Sequence, residues 1–167
     1  MARAFIVLAS ALCLFSLIGS AYGINNQFFI EGRVYCDTCR SQFVTRVSEY
    51  MANARVRLEC RTRNTGELTY SVEGVTDASG TYSLPVNEDH AAEICEVVLV
   101  KSSQPGCEEV STGSFLRKSA RVSLTVDNGM ASPVRHANPL GFLKAKPLPE
   151  CPEVLLELGI TPTGLVD

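Results

Sequence analysis

The stretch EGRVYCDTCR, residues 31–40, holds Cys36 and Cys39 in a Cys-x-x-Cys spacing. Three chemistries use that spacing: dithiol redox exchange, zinc ligation and structural cross-linking. A thioredoxin-like site needs a βαβ setting with the first thiol at a helix N-terminus. A zinc site needs a second ligand pair, and no other Cys-x-x-Cys is present; His90 and His136 lack metal-ligand spacing to each other or to a cysteine pair. Structural cross-linking uses the other cysteines as well. The chain has 7 cysteines, and setting aside Cys13 leaves Cys36, Cys39, Cys60, Cys95, Cys107 and Cys151. An even number in a secreted chain reads as three disulfides, with 15 pairings open on sequence alone.

Other chemistry-bearing residues are sparse. His90 and His136 lie in polar, turn-like neighbourhoods. The acid pairs Glu88/Asp89 and Glu108/Glu109 read as solvated loop carboxylates. No Gly-x-Ser-x-Gly elbow marks a serine hydrolase, and no Walker or dinucleotide glycine pattern is present. The residues therefore point to a non-enzyme without cofactor or metal.

The secretory reading comes from MARAFIVLASALCLFSLIGSAYG. Arg3 is followed by an apolar run to about Ile18, and Ala21 and Gly23 supply small residues before a cleavage point. This is the pattern of a signal peptide over residues 1–23. The apolar run is short for a ~20-residue span and no basic stop-transfer cluster follows, so membrane insertion is not expected. Removal of the first 23 of 167 residues leaves 144, one ordinary domain over residues 24–167, and loss of Arg3 takes the net charge from −3 to −4. A mildly acidic balance argues against nucleic acid or anionic lipid as partner. No Asn-x-Ser/Thr sequon occurs, so N-glycosylation is not expected.

The elements that must position the cysteines read as β. ARVRLEC alternates, with Val56, Leu58 and Cys60 inward and Arg55, Arg57 and Glu59 outward. TYSLPV sets Tyr82, Leu84 and Val86 on one face, and ARVSLTVD does the same with Val122, Leu124 and Val126. FFIEGRVYC and LTYSVEGVT are further strands. ICEVVLVKS is apolar on both faces and suits a central strand. About seven strands separated by turns predict an all-β fold, an antiparallel β-sandwich or barrel. RSQFVTRVSEYMANA spaces Phe43, Val47 and Tyr50 for a short helix or a packed loop. The proline-rich tail after Met130 is expected to wrap as a disulfide-stapled segment rather than pair in a sheet. One short helix is expected in PEVLLELG, started by Pro152 and stopped by Gly159.

These motifs together resemble the Ole e I family of plant pollen and extracellular proteins. EGRVYCDTCR fits the family signature, Glu/Gln-Gly-x-Val-Tyr-Cys-Asp-x-Cys-Arg, at every fixed position. VRLEC, EGVTDASGTYSLPV, DHAAEICEVVLV, SARVSLTVDNG, ANPLGF and PLPECPEVLLELG resemble successive family blocks in order. The resemblance implies disulfides Cys36–Cys107, Cys39–Cys151 and Cys60–Cys95. Asn53 stands where many members carry Gly, and Asn tolerates a left-handed backbone. It also implies a secreted protein of the extracellular space or cell wall, acting in pollen hydration, germination or tube growth, a potential allergen, with a receptor kinase ectodomain as a candidate partner. Arg55, Arg57 and Glu59 are the candidate contact face. Two other readings compete. An inhibitor of a secreted hydrolase would present SSQPGCEEVSTGS, residues 102–114, and an oxidoreductase would use Cys36 and Cys39.

Overall fold

The structure is a computed structural model and describes residues 27–112, 119–126, 128–161 and 164–165; the signal peptide expected at 1–23 lies outside them. The elements run β1 (Gln27–Asp37), β2 (Glu49–Tyr50), β3 (Arg55–Thr62), β4 (Leu68–Val75), β5 (Thr81–Asn87), β6 (Glu93–Lys101), β7 (Ser119–Val122), β8 (Val134–His136), β9 (Leu140–Leu143), α1 (Cys151–Glu157), β10 (Ile160–Thr161) and β11 (Gly164–Leu165).

Two sheets face each other and do not close into a barrel. One is the antiparallel order β4-β3-β6-β7, so β6 is central, as its apolar faces predict. Val56, Leu58 and Cys60 of β3 are fully buried and meet Val97, Cys95, Ala120 and Val122 of the neighbouring strands. The second sheet is built around β1. β5 pairs with it antiparallel, from Gln27↔Asn87 to Arg33↔Thr81. Tyr82, Leu84 and Val86 of β5 face inward while Ser83 and Pro85 face out. Pro85 is tolerated because β5 is an edge strand. Each buried Val, Leu, Ile or Phe contributes roughly 1.5–3 kcal/mol relative to exposure.

One expectation needs correction. The proline-rich tail does enter a sheet: β8 and β9 both pair with β1, and they do so in parallel, through Phe29↔Val134 to Glu31↔His136 and Val34↔Leu140 to Asp37↔Leu143. The second sheet is therefore mixed, not purely antiparallel. Of the two readings of RSQFVTRVSEYMANA the loop holds: residues 41–48 form turns, with left-handed Arg40 and Gln42 (φ 57° and 66°) breaking the chain direction at the start of the segment. The strand expected in ARVSLTVD is regular only over Ser119–Val122, although Leu124 remains buried. Asn53 adopts φ 58°, which explains why Asn suits that turn. Helix α1 begins with Pro152 in its first turn, and Gly159 just past its end has φ 73°.

Candidate functional site

The signature stretch is the most constrained part of the molecule. Glycine at position 32 is required because a Cβ there would lie 2.3 Å from the Tyr82 hydroxyl, whose ring covers it from the opposing strand. The mirror arrangement follows three residues on: Tyr35 lies over Gly141 of β9, where a Cβ would stand 2.7 Å from the ring. These two glycine–tyrosine pairs lock β1 to strands on both of its flanks.

Asp37 ends β1 and is fully buried. Its carboxylate accepts the N–H of Ser41 at 3.1 Å and of Gln42 at 2.5 Å, which holds the left-handed turn. The carbonyl of Asp37 accepts from Lys144 at 3.1 Å and that of Thr38 from Leu148 at 3.1 Å, while the Thr38 hydroxyl donates to the Val47 carbonyl at 2.9 Å. Arg40 forks onto Glu109 at 2.7 and 2.8 Å and donates to the Lys144 carbonyl at 2.8 Å. The Glu109 hydrogen bonds raise the Arg40 guanidinium above its ordinary value and lower the Glu109 carboxyl. Glu109 is thus an ion-pair partner, not a free loop acid.

Every cysteine among the described residues is bonded. Cys36 joins Cys107 across 71 positions and Cys39 joins Cys151 across 112, with Cα separations of 5.9 and 5.3 Å. Cys60 and Cys95 are directly opposed on β3 and β6, with Cα atoms 4.0 Å apart. Cys36 thus clamps the end of β1 to the segment that follows β6, and Cys39 clamps the next turn to the start of α1. In this arrangement the Cys-x-x-Cys spacing holds two late segments and contains no dithiol.

His90 is placed differently from the surface-loop expectation. Its side chain is only 8% exposed, and Nδ1 lies 2.5 Å from Glu93 Oε2. Its ring stands 4.8 Å from that of Tyr70, and Nε2 is buried without a hydrogen-bond partner. The ring, Glu93 and the Cys60–Cys95 bridge cluster with their donor atoms within 4.8 Å of one another. A cleft of about 230 Å³ opens beside His90 and Glu93, lined also by Arg63, Arg121 and Ser123. The His-x-x-Glu spacing two residues before Cys95 was a readable signal for this group. His136, by contrast, is an exposed strand residue opposite Glu31, remote in register from His90. Asp89 is likewise not a free acid: its carboxylate accepts the N–H groups of Ala91 and Val126 at 2.7 and 3.0 Å.

The outward face of β3 is an ion-pair ladder. Arg57 and Arg61 both bond Glu59, at 2.8 and 2.9 Å, and Arg57 reaches Glu73 at 3.4 Å; Arg55 is exposed beside them. The Arg61 hydrogen bond, joined by Arg57, holds the Glu59 carboxyl below its ordinary range against partial desolvation. Of the segment 102–114, residues 113 and 114 lie outside the described residues. The rest is tied back: Ser103 donates to the Ala52 carbonyl, Gln104 to Glu49 at 2.7 Å, and Ser102 to the Cys107 carbonyl at 2.7 Å. At the other end, an apolar hollow of about 640 Å³ lies between Leu148, Pro149, Pro152, Leu155 and Ile160, with Leu156 59% exposed at its rim. No helix among the described residues is long and apolar enough to cross a membrane.

Residues 26–159 match the family described as Pollen protein Ole e 1 like. The chain is 57% identical to an Olee1-like protein of Betula pendula over 99% of both chains. It is 51% identical to Pollen allergen Che a 1 of Chenopodium album, covering 95% of this chain and 94% of the relative. It is also 48% identical to the Anther-specific protein LAT52 of Solanum lycopersicum, covering 97% and 98%. The crystal structure of the major plantain pollen allergen Pla l 1 superposes with a TM-score of 0.68 at 36% identity, covering 75% of this chain and 99% of that one. The chain belongs to the Ole e 1-like family of pollen proteins.

Proposed function

We propose that the protein is a secreted, non-catalytic binding module of pollen or anther. It acts in hydration, germination or tube growth through an extracellular partner such as a receptor kinase ectodomain. Residues 1–23 serve as its secretory signal and residues 24–167 as the mature domain of the extracellular space or cell wall. The observation that carries this reading is the fate of the two signature cysteines. They are bonded to different distant segments, so the motif most suggestive of chemistry is an anchor. The pollen and anther names of its relatives support the choice of tissue. A hydrolase inhibitor reading is weaker, because Ser103 and Gln104 hold residues 102–107 against the body instead of presenting an extended strand to an enzyme.

The test is a binding titration of purified mature protein against receptor kinase ectodomains of the pollen plasma membrane. Saturable binding that survives His136→Ala and is lost on global unfolding supports the proposal. Hydrolase or thiol-exchange activity abolished by one His or Cys substitution, with the fold intact, overturns it.

A further inference from the structure

The anchor role leaves the His90 cluster unused. A carboxylate only accepts hydrogen bonds, so the Glu93 contact places the proton of a neutral imidazole on Nδ1 and leaves Nε2 as a bare lone pair. That lone pair is buried and unpartnered. A carboxylate–histidine pair presenting its second nitrogen is the arrangement by which proteins orient an imidazole toward a metal ion. Cys60 and Cys95 bring soft donors to the same group: one ring nitrogen of His90, a Glu93 oxygen and the two sulfurs lie within 4.8 Å of one another. Bonded to each other, these sulfurs are not ligands. Separated, they are two thiolates within 4.8 Å of one imidazole nitrogen.

We propose that the Cys60–Cys95 disulfide masks a zinc site, and that its reduction creates a Cys60, Cys95, His90 centre with Glu93 orienting the ring. The step balances with a dithiol reductant. The reductant gives two electrons and two protons, the Cys60–Cys95 bond breaks, and the reductant closes its own disulfide. Zn²⁺ then displaces the two thiol protons and is held by two thiolates and a neutral imidazole. That is three of the four ligands of a tetrahedral centre, the fourth being water or an exogenous donor. Two features make the opened state tolerable. The cysteines sit on strands already joined by an unbroken ladder from Val56↔Leu99 to Thr62↔Glu93, so the sheet does not depend on their bond. The cleft beside His90 and Glu93 gives an ion a way in, and one of its two arginines, Arg63, is already engaged with the carbonyls of Ala91 and Ala92 at 3.0 and 3.2 Å.

The experiment uses the mature protein, treated anaerobically with a limiting phosphine. The species whose alkylatable thiols map to Cys60 and Cys95 alone is isolated. Co²⁺ is titrated first, then displaced by Zn²⁺, and circular dichroism monitors the fold. The expected result is one Co²⁺ per chain with thiolate-to-metal charge-transfer absorption, absent in the oxidised protein. Glu93→Gln should weaken binding about 10–100-fold, and His90→Ala should weaken it at least as much. Two results overturn the proposal: a reduced, folded protein with no such absorption, or binding that His90→Ala leaves unchanged. Resistance of the Cys60–Cys95 bridge to reduction while the fold persists overturns it as well.

Discussion

Arg40 and Glu109 meet as a fork on a carboxylate, with both guanidinium nitrogens within 2.8 Å of its oxygens. The pair joins the turn that carries Cys39 to the segment two residues past Cys107. It therefore runs beside the Cys36–Cys107 disulfide and ties together the same two segments. The last residue of the signature is an arginine because the site calls for a planar donor that serves a carboxylate and the Lys144 carbonyl at once.

Arg40→Gln should return the Glu109 carboxyl toward its ordinary value of 4.5, since the Arg40 hydrogen bond is the main cause of its depression. Carbon-detected NMR titration of the carboxyl reads this directly. The pair is solvent-exposed, so the same variant should leave the unfolding midpoint nearly unchanged.

Gly32→Ala drives a methyl group into the Tyr82 hydroxyl, in a core where both flanking strands are fixed. Overpacking of this kind costs about 1–3 kcal/mol. Urea unfolding should show a lower midpoint with an unchanged slope, and Tyr82→Phe in the same chain should recover part of the loss by removing the clashing oxygen.

Replacing Cys39 and Cys151 together by Ala frees the start of α1 from the CDTC turn and should cost about 2–5 kcal/mol. The loss should be visible in thermal unfolding. Hydrogen exchange should rise first around Cys151–Glu157, because β9 remains paired with β1 by backbone bonds.

Glu59 predicts the acid limb of the stability profile. Its carboxyl is depressed in the folded state, chiefly by Arg61, so its contribution is complete above the ordinary value of 4.5 and is lost as pH falls through the lower folded value. The Glu59 contribution should hold from neutrality down to its ordinary value of 4.5 and be lost below that. Glu59→Gln should be less stable at pH 7 and show a shallower acid fall, measured by urea midpoints at stepped pH.

The sequence made much of this legible where structure is local. Alternation placed Val56, Leu58 and Cys60 inside and Arg57 and Glu59 outside, because one face of β3 meets the core and the other meets water. Pro152 and Gly159 marked α1 through backbone geometry alone. The parallel pairing of β8 and β9 with β1 was hidden. Those strands are three and four residues long, flanked by Pro133 and Pro139, and their partner lies about a hundred residues upstream. Short alternation carries no record of which distant edge it joins. His90 was misread for a related reason. Its neighbours in sequence are polar, and its burial comes from Tyr70 and the Cys60–Cys95 bridge, which the chain brings up from another strand. The outward charges of β3 were located correctly, but their mutual pairing depends on Glu73 across the sheet as well as on spacing within the strand.

Non-reducing peptide mapping of the purified secreted protein tests most directly whether the signature cysteines are anchors. The structure predicts peptides linking Cys36 to Cys107, Cys39 to Cys151 and Cys60 to Cys95, with no free thiol. A peptide in which Cys36 is bonded to Cys39 would contradict it and restore a redox reading of CDTC.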